Sequence, residues 1–134
     1  MTDESRQRLQ NLRVALLSLH KALVDSERVS YEKTVGGIQS PNQFLHLLMT
    51  DPWFAWLQPI SQLIIAMDEA LEAKKSQPDA AVDALIKNTG QLLVATEAGD
   101  GFSRHYFDAL QRDPDVVLAH AEAAKLFSPR KSRK

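Results

Sequence analysis

Four histidines are the residues of this chain best suited to hold a metal ion or a haem: His20, His46, His105 and His120. Histidine is the commonest metal ligand among the side chains. Di-iron helical bundles use Glu-x-x-His pairs, because residues three apart lie on one face of a helix. The chain has no such pair, no His-x-x-x-His and no Cys-x-x-Cys-His. The spacing of the histidines therefore does not predict a metal centre.

His46 and His20 are the two histidines that could still bind a haem or a metal. His46 lies in an apolar run, 44–48, and His20 shares a helix face with Glu27, two turns further on. Each would need ligands from other helices. A haem- or metal-binding bundle that uses His46 and His20 is kept as an alternative interpretation. We expect structural histidines and no cofactor, because histidine is commonly half-buried in proteins without any ligand.

Three carboxylates, Asp68, Glu69 and Glu72, lie close together and could in principle act as a general acid and base. Lys74 and Lys75 follow directly, so the run has the composition of a solvated helix end. The chain also has no Gly-x-Ser-x-Gly motif and no glycine-rich phosphate loop. The sequence therefore favours a protein that is not an enzyme.

The absence of cysteine and the small net charge exclude several classes of site. The chain has no cysteine, which rules out disulfides, thiolate metal sites and cysteine nucleophiles. The net charge of −1 gives no global attraction to nucleic acid. Four of the last five residues are basic, so a nucleic-acid-associated regulator that uses residues 128–134 is a third interpretation. We expect instead a disordered, solubilising tail, because no aromatic side chains are interleaved with the bases.

The sequence predicts no membrane span. The first ten residues are polar and lack the apolar core of a signal peptide. The longest relevant uncharged stretch, 52–67, contains Gln58, Pro59, Ser61 and Gln62. A bilayer span needs about 20 mainly apolar residues. A soluble, cytoplasmic protein is expected.

The elements that must position these residues are helices. Leucines alternate spacings of three and four along 3–33, which is typical of one packed face of a long helix: Leu9, Leu12, Leu16, Leu19 and Leu23. Gly36 and Gly37 then predict a loop. No alternation with a period of two, the pattern of a half-buried strand, persists anywhere.

Proline and capping residues mark where the later helices begin. Ser40-Pro41 and Asp51-Pro52 each combine a capping side chain with proline at the first helical position. Pro59 falls inside the second of these helices and predicts a kink or a split into two pieces. The further helices are expected at 41–49, 53–75, 80–96, 102–111 and 115–127. The predicted fold is an all-α bundle of four main helices plus short extra helices, with a central helix kinked at Pro59, in one domain over 1–127.

The central segment has the composition of a buried core or of an interface. No lysine or arginine occurs from Thr34 to Ala73, although the chain has 16 such residues. Depletion of charge together with aromatic enrichment is typical of interface cores, and simple burial produces the same composition. The leading hypothesis is a non-enzymatic interaction protein that forms a homodimer through Pro41–Leu71. The interface candidates are Phe44, Leu48, Trp53, Phe54, Trp56, Leu57 and Ile60.

Overall fold

The protein is all-α in a computed structural model that describes residues 2–73, 77–99 and 101–127, and those residues form seven helices and no strand. The predicted fold class is confirmed. The helices are α1 (Asp3–Thr34), α2 (Pro41–Thr50), α3 (Pro52–Ala55), α4 (Gln58–Glu72), α5 (Asp79–Leu92), α6 (Gly101–Arg112) and α7 (Pro114–Ala124). The predicted tail at 128–134 and the last residues of the predicted helix 53–75 lie outside the described residues.

The long helix α1 organises the core. The side chain of Thr2 accepts a hydrogen bond from the backbone of Ser5 and caps the first turn. The predicted leucine face is confirmed, since all five of its members have no exposed surface: Leu9, Leu12, Leu16, Leu19 and Leu23. The face is covered mainly by α7 and α4, with α5 beside them.

The central segment is divided into two helices. α3 ends at Ala55 and α4 begins at Gln58, so Pro59 lies in the first turn of α4. A first-turn residue has no intrahelical partner for its N–H, and proline is therefore accommodated there without loss of a hydrogen bond. Pro59 thus starts a helix instead of bending one.

The helix predicted at 80–96 is shorter in the structure. α5 ends at Leu92, and the backbone of Leu93 leaves the helical region with φ −83° and ψ 54°. The side chain of Leu93 is 3% exposed and belongs to the core. The helix ends at the point where the side chain of Leu93 packs into the core. The spacing of apolar residues in the sequence does not by itself locate that end.

Polar contacts connect α1 to its neighbours at several points. Arg112, at the end of α6, donates to Ser26 at 3.0 Å and to the carboxylate of Glu27 at 2.7 Å. Arg13 forms an ion pair with Asp68 of α4. Glu27 is nearly buried, at 6% exposed. Its ion pair with Arg112 therefore satisfies a charge that water reaches poorly.

Across the part of the chain that the structure describes, none of the helices combines the length and the apolar character that crossing a bilayer requires.

Candidate functional site

Capping contacts on both sides make α2 a separate helix of ten residues. The hydroxyl of Ser40 accepts from the backbone of Gln43 at 3.1 Å, and the side chain of Gln43 accepts from the backbone of Gln39 at 2.6 Å. At the other end, Asp51 leaves the helical conformation and its carboxylate accepts from the backbone of Trp53 at 2.8 Å. These contacts set both boundaries of α2, as the sequence predicts.

No residue of α2 is buried, although the helix carries five large apolar side chains. Leu45 is 56% exposed and Met49 is 68% exposed. Phe44, Leu47 and Leu48 are half-buried. The helix contains no Lys, Arg, Asp or Glu. α2 therefore exposes two large apolar side chains, and the other side chains that it exposes are Pro41, Asn42, Gln43, His46 and Thr50.

The inner side of α2 is held by aromatic contacts. The ring of Phe44 meets the ring of Phe54 edge-on, with centroids 5.8 Å apart. The guanidinium of Arg28 lies 4.8 Å from the centroid of the Phe44 ring, within cation–π range. Phe54 in turn packs against Tyr31 of α1. A ten-residue helix is marginal alone in water, so these contacts are what hold α2 on the bundle.

A groove of about 360 Å³ runs beside the exposed face of α2. It lies between the loop that precedes the helix and the helix itself. Its lining residues are Arg28, Ile38, Gln39, Ser40, Pro41, Phe44, Leu45 and Leu48. Leu45 belongs both to the exposed face and to the lining of the groove. The apolar ridge formed by Leu45 and Met49 therefore lies directly beside the groove. We call α2 and this groove together the α2 surface.

The seven interface candidates divide into two groups in the structure. Phe54, Leu57 and Ile60 are 1%, 3% and 0% exposed and lie in the core of the chain itself. Phe44, Leu48, Trp53 and Trp56 are half-buried. In this fold, the first group has no surface to offer to another chain.

Both tryptophans pack within the chain. Trp53 meets Tyr31 edge-on, with centroids 5.6 Å apart. Trp56 lies 5.3 Å from the ring of Phe102 and stacks on the ring of His105 at the same distance. Their indole N–H groups are buried and have no hydrogen-bond partner among the described residues. Much of the aromatic enrichment that pointed to an interface is therefore used between the helices of one chain.

Leu45 and Met49 are not among the interface candidates that the sequence predicts. They are four apart and so lie on one face of α2. The signal that could have identified them is the run 44–49, in which five of six residues are large and apolar and so cannot all lie on one face of a helix.

The histidines lie in different environments. His20 is half-buried, and its Nε2 lies 3.1 Å from the hydroxyl of Ser61 on α4. His120 is half-buried, and its Nδ1 lies 2.5 Å from the phenol oxygen of Tyr106. Burial lowers the pKa of both His20 and His120 below the usual 6.5. His46 and His105 are exposed.

The described residues bring no group of three or more histidine, aspartate or glutamate side chains together around a point that could hold a metal ion. His46 lies on the exposed helix α2, while His20 faces α4. Of the three neighbouring carboxylates, Asp68 pairs with Arg13, and Glu69 and Glu72 are exposed. The geometry gives these groups contacts between helices or contact with solvent.

Comparisons of the chain with protein-family models, with curated proteins and with solved structures gave no match. Its function has to be inferred from the chemistry of its own surface.

Proposed function

We propose that the protein is a non-enzymatic interaction protein that forms a homodimer through Pro41–Leu71, with the α2 surface at the centre of the contact. The observation that carries the proposal is the combination found in α2: five large apolar side chains, no buried residue and no Lys, Arg, Asp or Glu. Burying a leucine or a methionine side chain gains about 1.5–3 kcal/mol over leaving it in water. Leu45 and Met49 are 56% and 68% exposed, so a partner that covers them would recover a little more than half of that free energy for each.

The shape and charge of the α2 surface support a second copy of the chain as the partner. A twofold contact brings the same patch of both subunits together, so the patch must be complementary to itself. The ridge formed by Leu45 and Met49 lies next to a groove lined by Ile38, Phe44 and Leu48. In a twofold dimer, the ridge of each copy can pack into the groove of the other. α2 itself carries no Lys, Arg, Asp or Glu, and Arg28, which lines the groove, already pairs with Glu32 and lies over the Phe44 ring of its own chain.

A second pair of neighbouring exposed apolar side chains lies on α7. Leu118 of α7 is 66% exposed, and Val117 beside it is 44% exposed. Charged side chains share that helix, with Asp115 and Glu122 on either side along the chain. We place the proposed dimer in the cytoplasm, since a chain without cysteine gains nothing from an oxidising compartment.

Sedimentation velocity over a range of micromolar concentrations tests this proposal. The wild-type protein is expected to shift from monomer to dimer as the concentration rises. Leu45→Glu should weaken the dimer at least about tenfold, because it places an unpaired charge in the centre of an apolar contact. Leu118→Glu is the matched control, since it adds the same charge at an equally exposed leucine of another helix, and it should dimerise like wild type.

Circular dichroism of both variants checks that the helices are intact. A wild-type protein that stays monomeric throughout the concentration range would overturn the proposal. So would an equal effect of the two substitutions, because the contact would then not depend on α2.

A further inference from the structure

A second, larger groove of about 970 Å³ lies along α5. Ile86 and Gly90 are four apart and so share one face of the helix, and Val94 follows just after the helix ends. Phe127, which follows α7, packs against Gly90 and also lines the groove. Arg8 of α1 also lines the groove. We call this the α5 groove, and it shares no lining residue with the α2 surface.

The floor of the α5 groove is apolar. Ile86 is 2% exposed. Val94 is 50% exposed, so its side chain both lines the groove and reaches solvent. The side chain of Phe127 lies so close to Gly90 that a Cβ atom on this glycine would be 3.3 Å from it. Glycine is less favourable than alanine inside a helix. Here it allows an aromatic side chain to approach the helix backbone and line the groove.

Most of the charged groups at the rim already have partners. Arg8 pairs with Asp83 at 3.0 Å, and the carboxylate of Asp79 accepts from the backbone of Thr2 at 2.8 Å. Lys87 differs, because it forms no ion pair with any described residue. It lies one turn before Gln91, whose side-chain amide can also donate. Lys87 is therefore the cation of the rim that remains available to an anionic group, whereas Asp79, two turns before it on α5, is the remaining anion.

We propose that the α5 groove binds an amphipathic carboxylate, that is, an apolar chain that ends in one carboxylate group, as in a medium-chain fatty acid. The apolar chain would lie on Ile86, Val94 and Phe127. The carboxylate would stay at the solvent-exposed rim and accept from Lys87 and Gln91. The groove is at the upper end of the roughly 300–1,000 Å³ typical of small-molecule sites, and such sites combine apolar walls with a few polar groups.

The apolar floor and Lys87 at the rim make separate contributions that can be measured with two probes. Decanoate and decanol have the same chain, and only decanoate carries a charge at neutral pH. Each is titrated, below its aggregation limit, into the ¹⁵N-labelled full-length protein. Amide shifts are expected at Ile86, Gly90 and Val94 with both compounds, and decanoate should bind more tightly.

Two substitutions separate the two contributions. Lys87→Gln should weaken decanoate about two- to fivefold, as removal of an exposed ion pair does, and leave decanol unchanged. Val94→Asp should weaken both compounds about tenfold or more, because it puts a charge on the apolar floor at a half-exposed position. Lys33→Gln and Val117→Asp are the matched controls outside the groove, and they should bind both compounds like wild type.

Two results would overturn the proposal. Shifts centred on Leu45 and Met49 would place the compounds on the α2 surface. Binding of decanoate that neither Lys87→Gln nor Val94→Asp weakens would mean non-specific apolar association. The two surfaces share no residue, so shifts at Ile86, Gly90 and Val94 are expected whether or not the protein dimerises.

Discussion

Helices α1 and α2 carry the same kind of apolar pattern and bury it to opposite extents. The leucine face of α1 is fully covered, whereas Leu45 and Met49 of α2 are more than half exposed. The difference lies in their neighbours. α1 is surrounded by α4, α5 and α7, and the main helical neighbour of α2 is the four-residue helix α3. An apolar face in a sequence shows which side of a helix avoids water, but not what covers it.

The two helices also differ in their charges. α1 reaches other helices through Arg8, Arg13 and Glu27, each paired with an oppositely charged side chain from another element. α2 has no charged side chain of this kind. Ion pairs link α1 to other helices of its own chain, whereas no residue of α2 contributes to an ion pair among the described residues.

The largest expected effect lies in the α1 core. Leu16 has no exposed surface. Leu16→Ala should lower the free energy of unfolding by about 2–5 kcal/mol, because it removes a fully buried side chain and leaves a cavity. Urea denaturation measures this loss.

The matched control on the same helix is Leu17→Ala. The side chain of Leu17 is 38% exposed. Its removal should cost less than about 1 kcal/mol, as surface substitutions usually do. Equal losses of stability in Leu16→Ala and Leu17→Ala would contradict the distinction between the buried and the exposed face of α1.

Much of the helical framework is predictable from local residues. Ser40-Pro41, Asp51-Pro52 and Asp113-Pro114 each start a helix, and each capping side chain accepts a backbone hydrogen bond in the structure. The cause is local, since capping needs only residues two or three positions apart. The leucine face of α1 is equally local.

Contacts between distant residues are not predictable in this way. Arg112 and Glu27 are 85 positions apart, and nothing in either local sequence indicates the ion pair. Phe54 belongs to the core because its side chain is covered, and Met49 is exposed because its side chain is not. Neither outcome is indicated by the local sequence. Both depend on how whole helices pack, which periodicity does not specify.

A smaller effect is expected at the ion pair between α6 and α1. Arg112→Met removes the charged partner of the nearly buried Glu27 carboxylate. It should lower the free energy of unfolding by about 1–3 kcal/mol, because that carboxylate is left without compensation. Urea denaturation of this variant, of Glu27→Gln and of the double variant gives the coupling. A coupling near zero would show that the ion pair does not orient α1.

The next effect is expected in the pH dependence of stability, and it arises from His20 and His120. Burial lowers the pKa of both below 6.5, the usual histidine value. The unfolded chain therefore binds more protons than the folded chain just below that pH. Stability is present in full above the unfolded pKa and is lost as the pH falls from there toward the folded pKa values. His120→Gln and His20→Gln should each flatten this fall in denaturation curves recorded at a series of pH values.

The matched control for the pH series is His46→Gln on α2. His46 is exposed. This variant should therefore follow the wild-type pH dependence. A flattening as large as that of His20→Gln would mean that α2 is more closely packed on the bundle than its exposure indicates.

The smallest effect on the folded monomer is expected at the centre of the α2 surface, where Leu45 is 56% exposed. Leu45→Ala should change the free energy of unfolding by no more than about 0.5 kcal/mol, because surface substitutions have small effects and alanine suits a helix at least as well as leucine. This holds at concentrations where the protein is monomeric. At higher concentrations, a proposed dimer that buries Leu45 makes wild-type stability depend on concentration, and Leu45→Ala should reduce that dependence. A large loss in the dilute protein would place Leu45 in the core of its own chain and remove the contrast between α1 and α2.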